Sequence, residues 1–337
     1  MNTQLLTGLV AAVGLMINFG AVGMASAQDG HTEHAEHHRH ADFASDRLHV
    51  RIDGEPAGPG VRDIILIPGL SSSPEVWDGT VEHLQARWTS ETVSVNNGVA
   101  ATVETLQPGG WRIHRIHIQG FAGAPTEGNA SGPVSAPVAE EIARYITENH
   151  LDHPVVVGHS MGGTIGLMLA ARHPDLVGKL MVVDMLPSLG PAFAGPTATR
   201  EQIEAVGQRT HDGIAAETGQ ARIDSANQTI GSMIKTESKR AGPIQDTLTS
   251  DTDVMARAMQ ELVVTDVSPE FSKITAPVEV LYVDFNGMPA GGTDAIYRGA
   301  YSRLPGVKLQ RVADSAHFIM LDQPEVFYSA LDAFVAQ

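Results

Sequence analysis

Gly158-His159-Ser160-Met161-Gly162-Gly163 is the stretch of this chain best suited to chemistry. A serine flanked by glycines, entered from Val155-Val156-Val157 and followed by a helix-prone run, fits a sharp strand-to-helix turn with the hydroxyl exposed at its tip. The glycines permit the tight turn and a close backbone approach. A helix beginning behind Ser160 would present backbone N–H groups and the positive end of its dipole, both favourable to a developing oxyanion. Such a serine attacks acyl carbonyls once a base takes its proton. G-x-S-x-G alone is a short pattern that ordinary glycine-rich turns also produce. The strand before it and the helix after it single it out here.

That turn needs a sheet to stand on. Asp63-Ile64-Ile65-Leu66-Ile67, closed by Pro68-Gly69, is a continuous apolar run of the kind buried on both faces of a parallel sheet. Further strands are expected at 48–52 (a first edge strand), 112–118, 154–157, 179–183, 277–283 and 307–312. Helices are expected at about 77–87, 138–149, 164–172 and 324–335. This alternation predicts an α/β fold with a doubly wound, mostly parallel sheet. Residues 189–266 break the rhythm with three expected helices, near 200–218, 221–235 and 251–264, and read as an inserted helical cap. Residues 89–110 are a second interruption, with a hairpin signal at Asn96-Asn97-Gly98. The chain then divides into 1–27 as signal peptide, 28–58 as histidine-rich leader and first edge strand, 59–188 with 267–337 as the sheet domain, and 189–266 as the cap.

With these elements in place the sequence resembles the α/β-hydrolase superfamily over about residues 48–337. Ile67-Pro68-Gly69-Leu70-Ser71-Ser72-Ser73 is similar to the family's oxyanion loop, with Pro68 where histidine is commoner. Gly120-Phe121-Ala122-Gly123 is similar to its turn after the fourth strand. Asp314-Ser315-Ala316-His317-Phe318, followed by Asp322-Gln323-Pro324-Glu325, is similar to the C-terminal signature that carries the catalytic histidine. The resemblance implies Ser160 as nucleophile, His317 as the base that later protonates the leaving group, and the backbone N–H groups of Leu70 and Met161 as the oxyanion hole. It implies no cofactor and no metal in the mechanism. His159, the variable residue of the motif, is expected to pack or hydrogen-bond locally.

The third member of a triad departs from the family pattern. The usual acid position reads Asn286, and an amide cannot stabilise an imidazolium. Two carboxylates could serve: Asp284, two residues earlier, and Asp184, at the end of the strand 179–183, where some family members place the acid. Asp184 is preferred, with Asp284 the alternative.

Composition narrows the function. Cysteine is absent, which excludes a thiol nucleophile, a disulfide scaffold and thiolate metal sites. A formal net charge of −17 without a basic stripe argues against nucleic acid as a partner. Residues 5–22 are apolar and uncharged and lead to Ala25-Ser26-Ala27, so a signal cleaved after Ala27 is expected. The protein would then be periplasmic or secreted, without stable membrane insertion after cleavage; an uncleaved anchor is the alternative. His31, His34, His37, His38 and His40 could bind a metal weakly, although a solvated leader is the simpler reading.

The expected activity is that of a serine hydrolase, a carboxylic ester hydrolase acting on small to medium apolar acyl substrates. Aminopeptidase, lactonase, thioesterase and perhydrolase chemistry use the same triad, and a binding protein with a degenerate triad is a further alternative.

Overall fold

The computed structural model describes residues 39–40, 43–54, 56–58, 60–86, 110–289 and 291–336, with residues 39–40 as backbone only. The expected signal peptide, His31, His34, His37, His38 and the hairpin signal at 96–98 lie outside the described residues.

Among the described residues, eight strands form one sheet. They are β1 (Arg39–His40), β2 (Leu48–Gly54), β3 (Arg62–Ile67), β4 (Trp111–Ile118), β5 (Val155–His159), β6 (Lys179–Val183), β7 (Val278–Val283) and β8 (Lys308–Val312). Their spatial order is β1-β2-β4-β3-β5-β6-β7-β8. β1 and β2 run antiparallel to their neighbours and the other six are parallel. The strand expected at the edge, 48–52, is therefore not the edge. Arg39 pairs with Ile52 and His40 with Arg51, so the end of the histidine-rich leader is part of the sheet rather than outside the fold. Backbone groups of β2 that would otherwise face solvent are satisfied by this short strand.

Helices cover both faces. Among the described residues they are α1 (Asp78–Ala86), α2 (Ser135–Glu148), α3 (Met161–Arg172), α4 (Gly190–Ala194), α5 (Arg200–Ala215), α6 (Gly219–Met233), α7 (Ala241–Thr249), α8 (Thr252–Val264), α9 (Gly292–Ala300), α10 (Ile319–Asp322) and α11 (Pro324–Ala336). Strand alternation sends Ile65 and Ile67 to the face packed by α2 and α3, and Ile64 and Leu66 to the face packed by α1 and α11. Both sets are fully buried, which is why β3 reads as an unbroken apolar run.

Burial on both faces has a consequence for β4, whose alternation places polar residues inside. His114 and Arg115 are buried there. Arg115 is held by Asp53 (2.7 Å) and Asp78 (2.5 Å), and His114 by Asp63 (2.9 Å) and Tyr145 (2.7 Å). Arg115 and Asp53 are both buried, and removing one partner of such a pair costs about 3–5 kcal/mol, so Asp53 has a structural role.

Between β6 and β7 the chain leaves the sheet for five helices, α4 to α8, rather than the three expected. It leaves and returns at one point: Ser188 and Asp266 form an antiparallel bridge, and the Val267 N–H donates to the Pro187 carbonyl (2.9 Å). α7 is the larger omission of the sequence pattern. Its Gly242-Pro243 pair and its threonines have low helix propensity, and its position is set by contacts with the sheet domain through Asp246 and Ser250.

Buried imidazoles give the fold a pH dependence. Burial is the main cause holding His114, His117 and His159 below the ordinary histidine range in the folded chain. The unfolded chain therefore binds more protons than the native one between those lowered values and the ordinary histidine pKa. Stability from these groups is complete above about pH 6.5 and is lost as pH falls below it. Thermal midpoints measured from pH ~8 down to ~5 are expected to fall across that window. A flat profile would contradict this account.

Candidate active site

Ser160 sits between the last residue of β5 and the first of α3, with φ 53° and ψ −120°. Such a conformation costs a side-chain-bearing residue about 1–3 kcal/mol and persists only where its surroundings enforce it. Here the Ser160 N–H donates to the Val183 carbonyl (2.9 Å), and the Ser160 carbonyl accepts from Gly163 (2.8 Å) and Thr164 (3.3 Å). The flanking glycines let α3 lie directly against the sheet. A Cβ on Gly158 would meet the Gly162 carbonyl oxygen at 2.1 Å, and one on Gly162 the Ile67 carbonyl oxygen at 2.3 Å. Ser160 is left partly exposed, on the wall of a cavity it shares with Leu70 and His317.

His317 reaches that cavity from the loop between β8 and α10. Its Nδ1 lies 2.7 Å from Oδ2 of Asp184. A carboxylate only accepts, so Nδ1 carries the proton and the neutral ring keeps its lone pair on Nε2. Asp184 follows β6 directly, at φ 52°, and is buried. Its Oδ1 accepts from the Val283 N–H (3.1 Å) and the Tyr297 hydroxyl (3.0 Å). Burial, reinforced by the neighbouring Asp184, pushes the Tyr297 phenol well above its ordinary range, so it remains a donor.

Asp284, the alternative, is exposed and paired with Arg311 (2.7 Å), and Asn286 is exposed. The structure thus brings Asp184 to His317 and leaves Asp284 on the surface. Tyr297, on α9, has no local signature in the sequence and was not foreseen.

The loop that carries Leu70 also runs against the elbow. Met161 opens α3, and an N–H in the first turn of a helix has no intrahelical acceptor. Gly69 passes so close to the elbow that a Cβ there would be 3.0 Å from His159 and 3.2 Å from the Ser160 side chain. His159 fills the space below. Its Nε2 donates to the His317 carbonyl (3.1 Å), and its ring centroid is 4.7 Å from that of His317 and 4.5 Å from that of Phe318. Burial, with His317 nearby, keeps it far below the ordinary histidine range and therefore neutral. It acts as an uncharged wedge between the two loops.

The cap closes the cavity. Arg222, Ser225, Ala226, Thr229, Ile230 and Met233 recur at helical spacing and form one face of α6 over Ser160. Among the apolar residues of the cap, Ile214, Met255, Met259 and Leu262 also line it, whereas Val254 and Val263 pack in the core and Ile223 is exposed. Glu217, which accepts from Ser225 (2.7 Å), adds a polar rim, and burial pushes its carboxyl above the usual range. Among the described residues no group of three histidines or carboxylates is placed to hold a metal, and no helix is long and apolar enough to cross a membrane.

A family model for the alpha/beta hydrolase fold matches residues 64–223, from β3 through the elbow into the cap. The chain has the α/β-hydrolase fold. Over 139 residues it is 27% identical to the Caulobacter segnis protein named for carbamate hydrolysis (RutD), a match spanning 41% of this chain and 43% of that protein. It is 24% identical to the pimeloyl-[acyl-carrier protein] methyl ester esterase of Citrobacter koseri, over 82% of this chain and 94% of the esterase. Among solved structures, the enol-lactonase of Burkholderia xenovorans shares the fold with a TM-score of 0.64 at 19% identity, covering 89% of this chain and 100% of the lactonase.

Proposed function

We propose that this protein is an exported serine esterase that cleaves small to medium apolar acyl esters through Ser160, His317 and Asp184. One observation carries the reading: a serine on a strained elbow shares a cavity with a histidine whose Nδ1 is bonded to a buried carboxylate. Ser160 Oγ attacks the ester carbonyl while His317 Nε2 takes its proton. The tetrahedral oxyanion is held by the Leu70 and Met161 N–H groups. Collapse expels the alcohol, which takes the proton from His317 and leaves an acyl-serine. Water then repeats the sequence and releases the acid. Asp184 fixes the tautomer and stabilises the imidazolium. The apolar walls from α6 and α8 suit an acyl chain, and esterase-named relatives agree in chemical class. Export rests on the apolar run at 5–22 and Ala25-Ser26-Ala27.

The test uses a fluorophosphonate probe and 4-nitrophenyl esters of graded chain length. Covalent labelling and turnover are expected in the parent protein, both absent in Ser160→Ala and both indifferent to a chelator. A protein that neither labels nor turns over any ester would be a binding protein on this fold.

A further inference from the structure

The serine run that follows Leu70 has no role in the chemistry above, yet every one of its residues is buried. Ser71 stands at φ 56°, and the Ser72 N–H turns back to the Gly69 carbonyl (3.2 Å), making a tight turn that carries Leu70 at its second position. The partners of this turn come from the cap. Asp246, in the middle of α7, receives both the Ser73 N–H (2.9 Å) and the Ser73 hydroxyl (2.7 Å) on one carboxylate oxygen. Thr247 Oγ1 donates to the Pro243 carbonyl (2.9 Å), so the Ser71 hydroxyl at 3.2 Å donates to it. The end of α7 docks on the other family-type turn: Ser250 Oγ accepts from Ala122 (2.8 Å), and the Thr249 carbonyl from Gly123 (3.2 Å). α7 is thereby fastened to both loops at the mouth of the sheet.

We propose that Asp246 is a positioning residue that holds the oxyanion loop through Ser73, so that the cap helix facing the substrate also sets the Leu70 donor. The inference rests on reading the Leu70 N–H as an oxyanion donor. Two donors on one carboxylate form charge-assisted bonds, the strong kind, and they anchor the loop three residues beyond Leu70. Oxyanion stabilisation depends on donors held in place before charge develops, so a loosened loop weakens the transition state more than the bound substrate. Thr247, next to Asp246, lines the cavity together with Ser71 and Ser72. Substrate therefore rests against the same helix that holds the loop. This gives the cap a part in the chemical step and not only in selecting the acyl group.

The experiment compares Asp246→Ala, Asp246→Asn, Ser73→Ala and the double variant Asp246→Ala/Ser73→Ala in the full chain. Asp246→Ala is expected to lower kcat about 30-fold, less than outright loss of an oxyanion donor, with KM changed less than about threefold. Asp246→Asn keeps an acceptor oxygen and should lose only about threefold in kcat. The double variant should be no slower than Asp246→Ala, because the two side chains act as one contact. Amide exchange of residues 69–73 should be faster in Asp246→Ala, while α2 and α3 keep their protection. Unchanged kcat, a loss confined to KM, fully additive single effects, or unchanged exchange at 69–73 would each overturn the proposal. A parent protein without esterase activity would overturn the catalytic reading instead, and exchange at 69–73 would still decide whether Asp246 holds the loop.

Discussion

Ser160→Gly is expected to remove turnover, by about 10⁶-fold, and at the same time to make the protein more stable by about 1 kcal/mol. The first effect follows from losing the nucleophile. The second follows from the backbone: φ 53° and ψ −120° are costly for any residue with a Cβ and open to glycine. Glycine also has more conformational freedom to lose on folding, which offsets part of the relief. Ser160→Ala should be equally inactive without gaining stability, since alanine keeps the Cβ. Ester turnover and thermal midpoints of the two variants, measured side by side, separate the chemistry from the strain. Equal midpoints would mean that the elbow stores no more strain than glycine's added chain entropy offsets.

Asp184→Asn should lower kcat by about 10⁴-fold, roughly 5 kcal/mol of transition-state stabilisation, with KM little changed. The hydrogen bonds around Asp184 explain why the loss would be so large. Val283 and Tyr297 both present donors at Oδ1, so the amide oxygen of an asparagine must face them. Its NH2 group then faces His317 Nδ1 and donates to it. The ring is forced into the tautomer with its proton on Nε2, where it cannot accept one from Ser160. Asp284→Asn, which touches only the exposed Arg311 pair, should change turnover less than about twofold. Steady-state kinetics on both variants decides between the carboxylates. A fully active Asp184→Asn would reject the assignment.

How much of the site could be read in advance depended on how far apart its parts lie in the chain. The elbow was legible because β5, Ser160 and α3 are contiguous, and because the glycines that let α3 approach the sheet stand within three residues of the serine. His317 was legible only through its similarity to a known signature. The choice between Asp184 and Asp284 stayed open because both sit at the ends of neighbouring strands, β6 and β7. Tyr297 and Asp246 were missed altogether. Each sits on a helix far along the chain from what it touches, 113 residues from Asp184 in one case and 173 from Ser73 in the other. The two-residue β1 was missed because pairing, rather than propensity, makes it a strand.

By itself the sequence determined the local devices: the buried parallel strands, the glycine-framed turn with its serine, and the absence of any thiol to serve in its place. These are short-range consequences of apolar runs and backbone sterics, which act within a few residues. The tertiary structure alone decided which carboxylate meets His317, which phenol holds that carboxylate, and which cap residue bonds to Ser73. Hydrogen bonds form only where folding brings donor and acceptor to about 3 Å, and no local pattern encodes that distance.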